Sequence, residues 1–444
     1  MQANDTGFLD KSQSHSGPGY LAPADLSVSP APLKRILFVG ACFLELLEIH
    51  KRNGLAADFI LTGGMQLPDE PPREIASYEF QVVQIALRSV MHDATLWSIA
   101  YHDIDGYRRA LEERKQQLAV LLRSILRWNV QHGILTFVCN FMLPQQDSTG
   151  RLFPRYDIRN IAFFVEQLNV ELERLIASYD NVYLLDIDKI SASLGRRYIQ
   201  DDGVEVTAHG AVLQLFGADP WERIDPVRPM AEHYRVRWPA EFPDAVWAEV
   251  QAMYRTVRQI DAVKLVVVDL DDTLWIGVSG DKSDVGPDMT EGWPLGIIEA
   301  LQYLKKRGTL LAVISKNDAN RVAAIWDRIF AGKLRRDDFA AVLVNWQPKP
   351  ENMAQLLRDV NLLPRNVVFI DDSPVERSAM KNAFPEMRIL GRYPYYLRRI
   401  LLWSAETQVA AITPESAQRN EMVDRKSTRL NSSHIQKSRM PSSA

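Results

Sequence analysis

The sequence predicts an α/β protein made of two three-layer domains, each with a mainly parallel sheet. Three observations carry that expectation. Short apolar runs alternate with longer amphipathic stretches along most of the chain, the pattern of successive strand–helix units. At 444 residues the chain is two to three times a typical domain, long enough for two separate cores. Its composition, 46% hydrophobic and 24% charged with a mean hydropathy of −0.18, is that of a water-soluble globular protein. No apolar run approaches the roughly 18 to 20 residues that a membrane-spanning helix requires.

Charge and cysteine usage narrow the function classes. Against 56 acidic residues stand 52 basic ones, a net charge of −4, which offers no broad attraction for nucleic acid or anionic lipid. Cys42 and Cys139 are too few for a disulfide framework or a four-thiolate zinc site, and read as reduced thiols of a cytoplasmic protein. Residues 1–33 are rich in Ser, Gly, Pro and Asp and lack a basic start followed by an apolar stretch; they read as a disordered leader. Residues 425–444, RKSTRLNSSHIQKSRMPSSA, hold five basic residues, no acid and no apolar periodicity, and read as a non-native, adapter-like tail. Without them the net charge is −9.

The first domain is expected over 34–255. Arg35–Val39 is a β-type run, Gly40-Ala41-Cys42 a tight turn, and Phe43–His50 a helical stretch. Further strands are expected at Gly133–Cys139 and Asn181–Asp186, with amphipathic helices over Asp105–Trp128 and Arg159–Ser178. A thiol in such a turn would lie beside free N–H groups at a helix N-terminus, which favours its thiolate, so Cys42 is a candidate nucleophile. Cys139, inside an apolar strand, reads as a core residue.

The second domain is expected over 262–405. Leu265–Val268 forms a buried strand, and Asp269 and Asp271 stand two residues apart at its carboxyl end, in Asp269-Leu-Asp-Asp-Thr273. Because strand side chains alternate with period two, a bend there aims both acids into one site, at the sheet edge where open α/β folds place ligands. Leu310–Ile314 is a second strand, ending in Ser315-Lys316-Asn317, donors suited to phosphate oxygens. Lys349 supplies a cation, and Asn366–Ile370 is another strand, ending in Asp371-Asp372. These residue types fit phosphoryl transfer. Asp269 would attack phosphorus, and Asp271 would protonate the leaving oxygen and later take a proton from water. Asp269, Asp371 and the backbone carbonyl of Asp271, with Asp372 holding a metal-bound water, make an oxygen-only pocket for Mg²⁺. Any one of these acids alone would read as a helix cap or a solvated charge. It is their order at βα spacings that carries the reading.

On these motifs, together with Thr273-Leu-Trp275, Asn345-Trp346 and Phe369-Ile-Asp-Asp-Ser-Pro-Val-Glu-Arg377, residues 262–422 resemble the haloacid dehalogenase (HAD) superfamily, in its subfamily IIIC and FkbH-like branch. The resemblance implies a Rossmannoid phosphatase domain, catalytic roles for Asp269, Asp271, Thr273, Ser315 and Lys349, and Mg²⁺ at Asp269, Asp271, Asp371 and Asp372. It also implies an acyl-carrier protein as partner, loaded with a glyceryl or acyl unit in polyketide-type metabolism. Residues 406–424 resemble the approach to a further domain of longer relatives. The first half resembles the SGNH-hydrolase-like, flavodoxin-type domain, with Cys42 in the position of the nucleophilic serine and Asn140 in that of the oxyanion-hole asparagine. Ala41 departs from the family's Asp, and no clean Asp-x-x-His is present; Asp225 with His233, or Asp202 with His209, are loose substitutes.

The connections after the first and second motif strands hold one helix each, Pro294–Arg307 and Ala319–Phe330, with a Gly277–Gly292 loop before the first. Neither has room for a cap domain. An open site suits a phosphoryl group on a macromolecule or a tethered arm. A plain phosphatase acting on a phosphosugar or phosphoprotein, with a non-catalytic first domain, is the second reading, and a non-catalytic scaffold the third.

Overall fold

The computed structural model describes residues 21–30, 33–41, 43–49, 55–62, 67–200, 241–278 and 285–414. Two compact units emerge: Met1–Leu21 with Pro32–Gln251, and Ala22–Ala31 with Ala252–Ala444. Both are α/β with all-parallel sheets. Among the described residues no helix is long and apolar enough to cross a membrane.

In the first unit the order is β1 (Arg35–Gly40), α1 (Phe43–Ile49), β2 (Ala56–Leu61), β3 (Phe80–Val83), α2 (Leu87–Val90), α3 (Ile104–Ile125), α4 (Arg127–His132), β4 (Thr136–Cys139), α5 (Ile161–Ile176), β5 (Val182–Leu185) and α6 (Ile187–Leu194). The sheet runs β2-β1-β3-β4-β5. Strands β1, β3 and β4 are buried on both faces, hence their nearly unbroken apolar sequences. Gln81 of β3 is buried and donates to Oγ1 of Thr136, the buried first residue of β4, at 2.9 Å. The helix expected over 105–128 is divided at Leu126, and the bend lets Trp128 be buried whole while Asn129 Nδ2 donates to the carbonyls of Ile134 and Asp180. The strand expected from Gly133 begins at Thr136, because Gly133, at φ 66°, closes α4 in the left-handed conformation that glycine adopts freely.

The division between units falls inside helix α7 (Glu241–Arg258). The second unit continues with β6 (Leu265–Val268), α8 (Trp293–Lys306), β7 (Leu310–Ser315), α9 (Ala319–Phe330), β8 (Ala341–Val344), α10 (Lys349–Val360), β9 (Val367–Ile370), α11 (Pro374–Ala383), β10 (Arg388–Leu390) and α12 (Pro394–Trp403). Its sheet order is β10-β9-β6-β7-β8. Alternate residues of β6 feed two cores, as the strand's period of two requires. Val266 and Val268 join the core that includes residues of α8, α9 and α12, whereas Leu265 and Val267 join the one that includes Met353, Leu356 and Met380.

Part of the expected disordered leader is structured. Residues 22–31 belong to the second unit, where Leu26 is 0% exposed within the core. Arg388 Nε donates to the Leu26 carbonyl at 2.6 Å, Arg255 Nη1 to the Ser29 carbonyl at 2.7 Å, and Ser29 N to Asp261 Oδ2 at 2.9 Å. The local composition reads as unstructured because the partners of these few residues lie more than 200 positions away. The expected tail, 425–444, lies outside the described residues.

Candidate active site

Strand β6 lies in the middle of its sheet, and the chain leaves it in one direction toward β7 and β8 and returns on the other side at β9. This is the topological switch point at which open α/β sheets bind ligands beyond the carboxyl ends of the strands. Asp269 follows β6 immediately, its N–H bonded to the Ile370 carbonyl of β9 at 2.9 Å. The chain then winds about the Leu270 carbonyl, which accepts from Thr273, Leu274 and Trp275 N at 3.2, 2.8 and 3.3 Å. Asp272 makes this winding possible by taking a left-handed φ of 50°, a conformation Asp tolerates, with Oδ1 accepting from Gly277 N at 2.6 Å.

The opposite wall comes from β8 and β9. Lys349 opens α10 and is 3% exposed, and its Nζ lies 2.6 Å from Asp371 Oδ2 and 3.1 Å from Asp269 Oδ1. A cation at a helix N-terminus has the unfavourable sign for the helix dipole, so these two carboxylates are what hold it there. Asp371 is 0% exposed, with Oδ1 accepting from Ser373 N at 3.0 Å. Gly391 backs its main chain: at φ 120°, a Cβ on residue 391 would lie 2.0 Å from the Asp371 carbonyl oxygen. Arg377 Nη1 donates to the carbonyls of Asp371 and Asp372.

Burial pushes the Asp269 carboxyl up to about 6; Lys349 pulls it down, Asp371 pushes it further up, and hydrogen bonds from Leu270 N and Ser315 oppose the rise. Asp371 is also raised, chiefly by burial with Lys349 opposing, and Asp372 by burial and then by repulsion from Asp269 and Asp272. Burial acts to lower Lys349, but Asp269 and Asp371 more than reverse it, so the ammonium holds its proton firmly. Among the described residues the cluster therefore carries more negative charge than its one lysine balances. Carboxylate oxygens of Asp269, Asp371 and Asp372 lie within 4.8 Å of one another. Such an anionic, oxygen-only cradle fits a hard divalent cation such as Mg²⁺.

The expected residues divide into those the fold gathers and those it does not. Asp269, Ser315, Lys349, Asp371 and Asp372 come together as expected. The Asp271 carboxylate stands apart from the three-acid cluster: Oδ1 accepts from Trp275 Nε1 at 2.7 Å and Oδ2 from Asn317 Nδ2 at 3.0 Å, leaving its backbone carbonyl as the expected ligand. Thr273 is buried, and its hydroxyl has no hydrogen-bond partner among the described residues. The fold adds Trp275, Arg377 and Gly391 to the site; Trp275 and Arg377 lie within the motifs quoted above, whereas Gly391 has no local sequence signal.

The first unit offers less. Cys42 lies outside the described residues, as do Asp202, His209, Asp225 and His233. Asn140 is held at the start of α6: Nδ2 donates one proton to Asp186 Oδ1 at 2.7 Å, and Oδ1 accepts from Asp188 N at 3.2 Å. Cys139 is the expected core residue, and burial pushes its thiol up.

Residues 290–383 match the haloacid dehalogenase-like hydrolase family, a span that holds Ser315, Lys349, Asp371 and Asp372 and begins after Asp269. Among solved structures, the N-terminal part of the protein BF1531 from Bacteroides fragilis, which contains a phosphatase domain complexed with Mg, is similar over 88% of this chain and 99% of that one, at 18% identity and a TM-score of 0.56. At that identity the likeness is one of fold, and it spans both units. A second, the Moraxella catarrhalis 3-deoxy-D-manno-octulosonate 8-phosphate phosphatase in complex with magnesium, phosphate and KDO, covers 38% of this chain and 96% of its own, at 13% identity and a TM-score of 0.24. The comparison with curated proteins finds no match.

Proposed function

We propose that this protein is a Mg²⁺-dependent phosphatase or phosphotransferase that works through an aspartyl phosphate on Asp269. The observation that carries the reading is the buried Asp269–Lys349–Asp371 cluster, with Asp372 at its open side, placed at the switch point of a parallel sheet. A Mg²⁺ held by Asp269, Asp371, Asp372 and the Asp271 carbonyl would supply the positive charge that draws a dianionic ester into this acidic site. Asp269 attacks phosphorus in line as the ester P–O bond breaks, and the departing oxygen takes its proton from Asp271. Trp275 and Asn317 hold the Asp271 side chain for this exchange. Asp271 then takes a proton from the attacking water, or from an acceptor alcohol or thiol, and the acyl phosphate P–O bond breaks to free Asp269. Lys349 compensates negative charge throughout, and Ser315 orients the nucleophile.

The finer reading is FkbH-like: phosphate removal coupled to loading of a glyceryl or acyl unit on an acyl-carrier protein in polyketide-type metabolism, in the cytoplasm. The motifs quoted above and the pairing of two α/β units support it. The second reading is a plain phosphatase whose first unit does not catalyse. Phosphate release from an aryl ester tests the shared part. It should require Mg²⁺ and vanish in Asp269→Asn with the fold intact, and full activity in chelator or in that variant refutes the assignment. Intact-mass analysis of a carrier protein incubated with the enzyme and a phosphoglycerate donor separates the two readings.

A further inference from the structure

Trp128, Trp247, Trp275 and Trp326 are buried, as befits a large side chain with much apolar surface. Trp346 is 73% exposed. Its loop is nonetheless tightly held. Asn345 N donates to the Ser315 carbonyl at 3.2 Å, and Gln347 N donates to Asn345 Oδ1 at 3.0 Å. The side-chain amides of Asn345 and Asn352 exchange hydrogen bonds of 3.2 and 2.9 Å, and Pro348 fixes the entry to α10. An indole kept in water on a pinned backbone is preorganised for a ligand rather than left over from packing.

Its position relative to the proposed chemistry follows from the chain. Trp346 is next to Asn345, whose backbone is bonded to that of Ser315, and Ser315 in turn bonds Asp269. It is three residues, at most about 10 Å of chain, from Lys349, whose ammonium lies 3.1 Å from Asp269 Oδ1. Trp346 is therefore carried on the loop that follows β8 and leads into Lys349 at the start of α10.

We infer that Trp346 is a specificity-determining residue, whose ring stacks on a planar apolar part of the leaving group. The preferred substrates are then phosphate monoesters with an aromatic or heteroaromatic group close to phosphorus, which fits the plain-phosphatase reading and not a glyceryl phosphate. The inference rests on the phosphoryl-transfer reading for what the bound ester undergoes, but its binding part is measurable without turnover. Benzylphosphonate and methylphosphonate, which cannot be hydrolysed, are titrated with Mg²⁺ into the full chain, Trp346→Ala and Trp346→Phe, and followed by NMR. The full chain should prefer benzylphosphonate by about tenfold, the scale of an aromatic contact with its buried area. Trp346→Ala should lose that preference while holding methylphosphonate within about twofold, and Trp346→Phe should keep most of it. No preference in the unmodified chain, or an equal preference in Trp346→Ala, overturns the inference. If the binding pattern appears but 1-naphthyl phosphate is not hydrolysed, the stacking role stands and the phosphatase reading falls.

Discussion

Replacing Lys349 with Met keeps the volume of a buried side chain and removes the cation paired with Asp269 and Asp371. Lys349 Nζ lies 2.6 Å from Asp371 and 3.1 Å from Asp269, and neither carboxylate has solvent to fall back on. Breaking a buried ion pair from one side costs about 3–5 kcal/mol, because the partner charge is left uncompensated. Here the cost should depend on pH. Asp269 already sits at about 6 in the folded protein, against an ordinary value of 3.8, and Asp371 is raised too. Loss of the ammonium removes the interaction that lowers both. A folded-state value above the unfolded one means that the folded protein binds more protons between the two, so stability falls as pH rises through that window and is regained on acidification. One bound proton changes stability by about 1.4 kcal/mol per pH unit, so going from pH 8 to pH 5 should recover most of the loss. We expect Lys349→Met to cost about 3–5 kcal/mol at pH 8 and about 1 kcal/mol or less at pH 5. Added Mg²⁺ should narrow the gap at pH 8. The assay is urea unfolding of the full chain in chelator, fitted with one transition per unit. An equal loss at both pH values, or a loss under about 1 kcal/mol at pH 8, would show that the cluster is not charge-coupled as described.

Two further substitutions probe the supports of the site. Gly391→Ala forces a side chain into a φ of 120° and a Cβ to within 2.0 Å of the Asp371 carbonyl oxygen; it should cost at least about 2 kcal/mol and weaken Mg²⁺ binding, read by thermal unfolding and metal titration. A variant as stable and as metal-avid as the parent would contradict the contact. Leu26→Ala empties a fully buried position of the second unit and should cost about 2–5 kcal/mol. An unchanged unfolding midpoint would mean that residues 22–31 do not pack as described.

Much of this protein could be read from local sequence, and the reason is physical. Strands buried on both faces must be continuously apolar, so Leu265–Val268, Leu310–Ile314 and Val367–Ile370 were visible as strands, and the polar residues that end them stood out as the site. Helix Ala319–Phe330 was bounded correctly, since it has both a periodic apolar face and an Asp318 N-cap. Strands β2 and β3 were not seen: β2 lies at the sheet's edge, half-buried and weakly patterned, and β3 carries Gln81, whose burial is licensed only by Thr136 on a neighbouring strand. The three-residue β10 is too short to leave a pattern.

What sequence could not supply was which partner each polar group takes. Spacing alone brought Asp269 and Asp271 toward one site, but the winding about Leu270 and the left-handed Asp272 send Asp271 to Trp275 and Asn317 and leave Asp269 with Lys349. Position after a strand singles out Asn140, and only the tertiary structure shows that its side chain is held by Asp186 and Asp188. Leu26 gave no local signal because its burial depends on Arg388 and on a core assembled from residues far along the chain. Composition and periodicity determined which segments fold and where acids and donors collect, since those depend on neighbours in sequence. The pairing of charges, the depth of their burial and the exposure of Trp346 depend on neighbours in space, and the tertiary structure alone decided them.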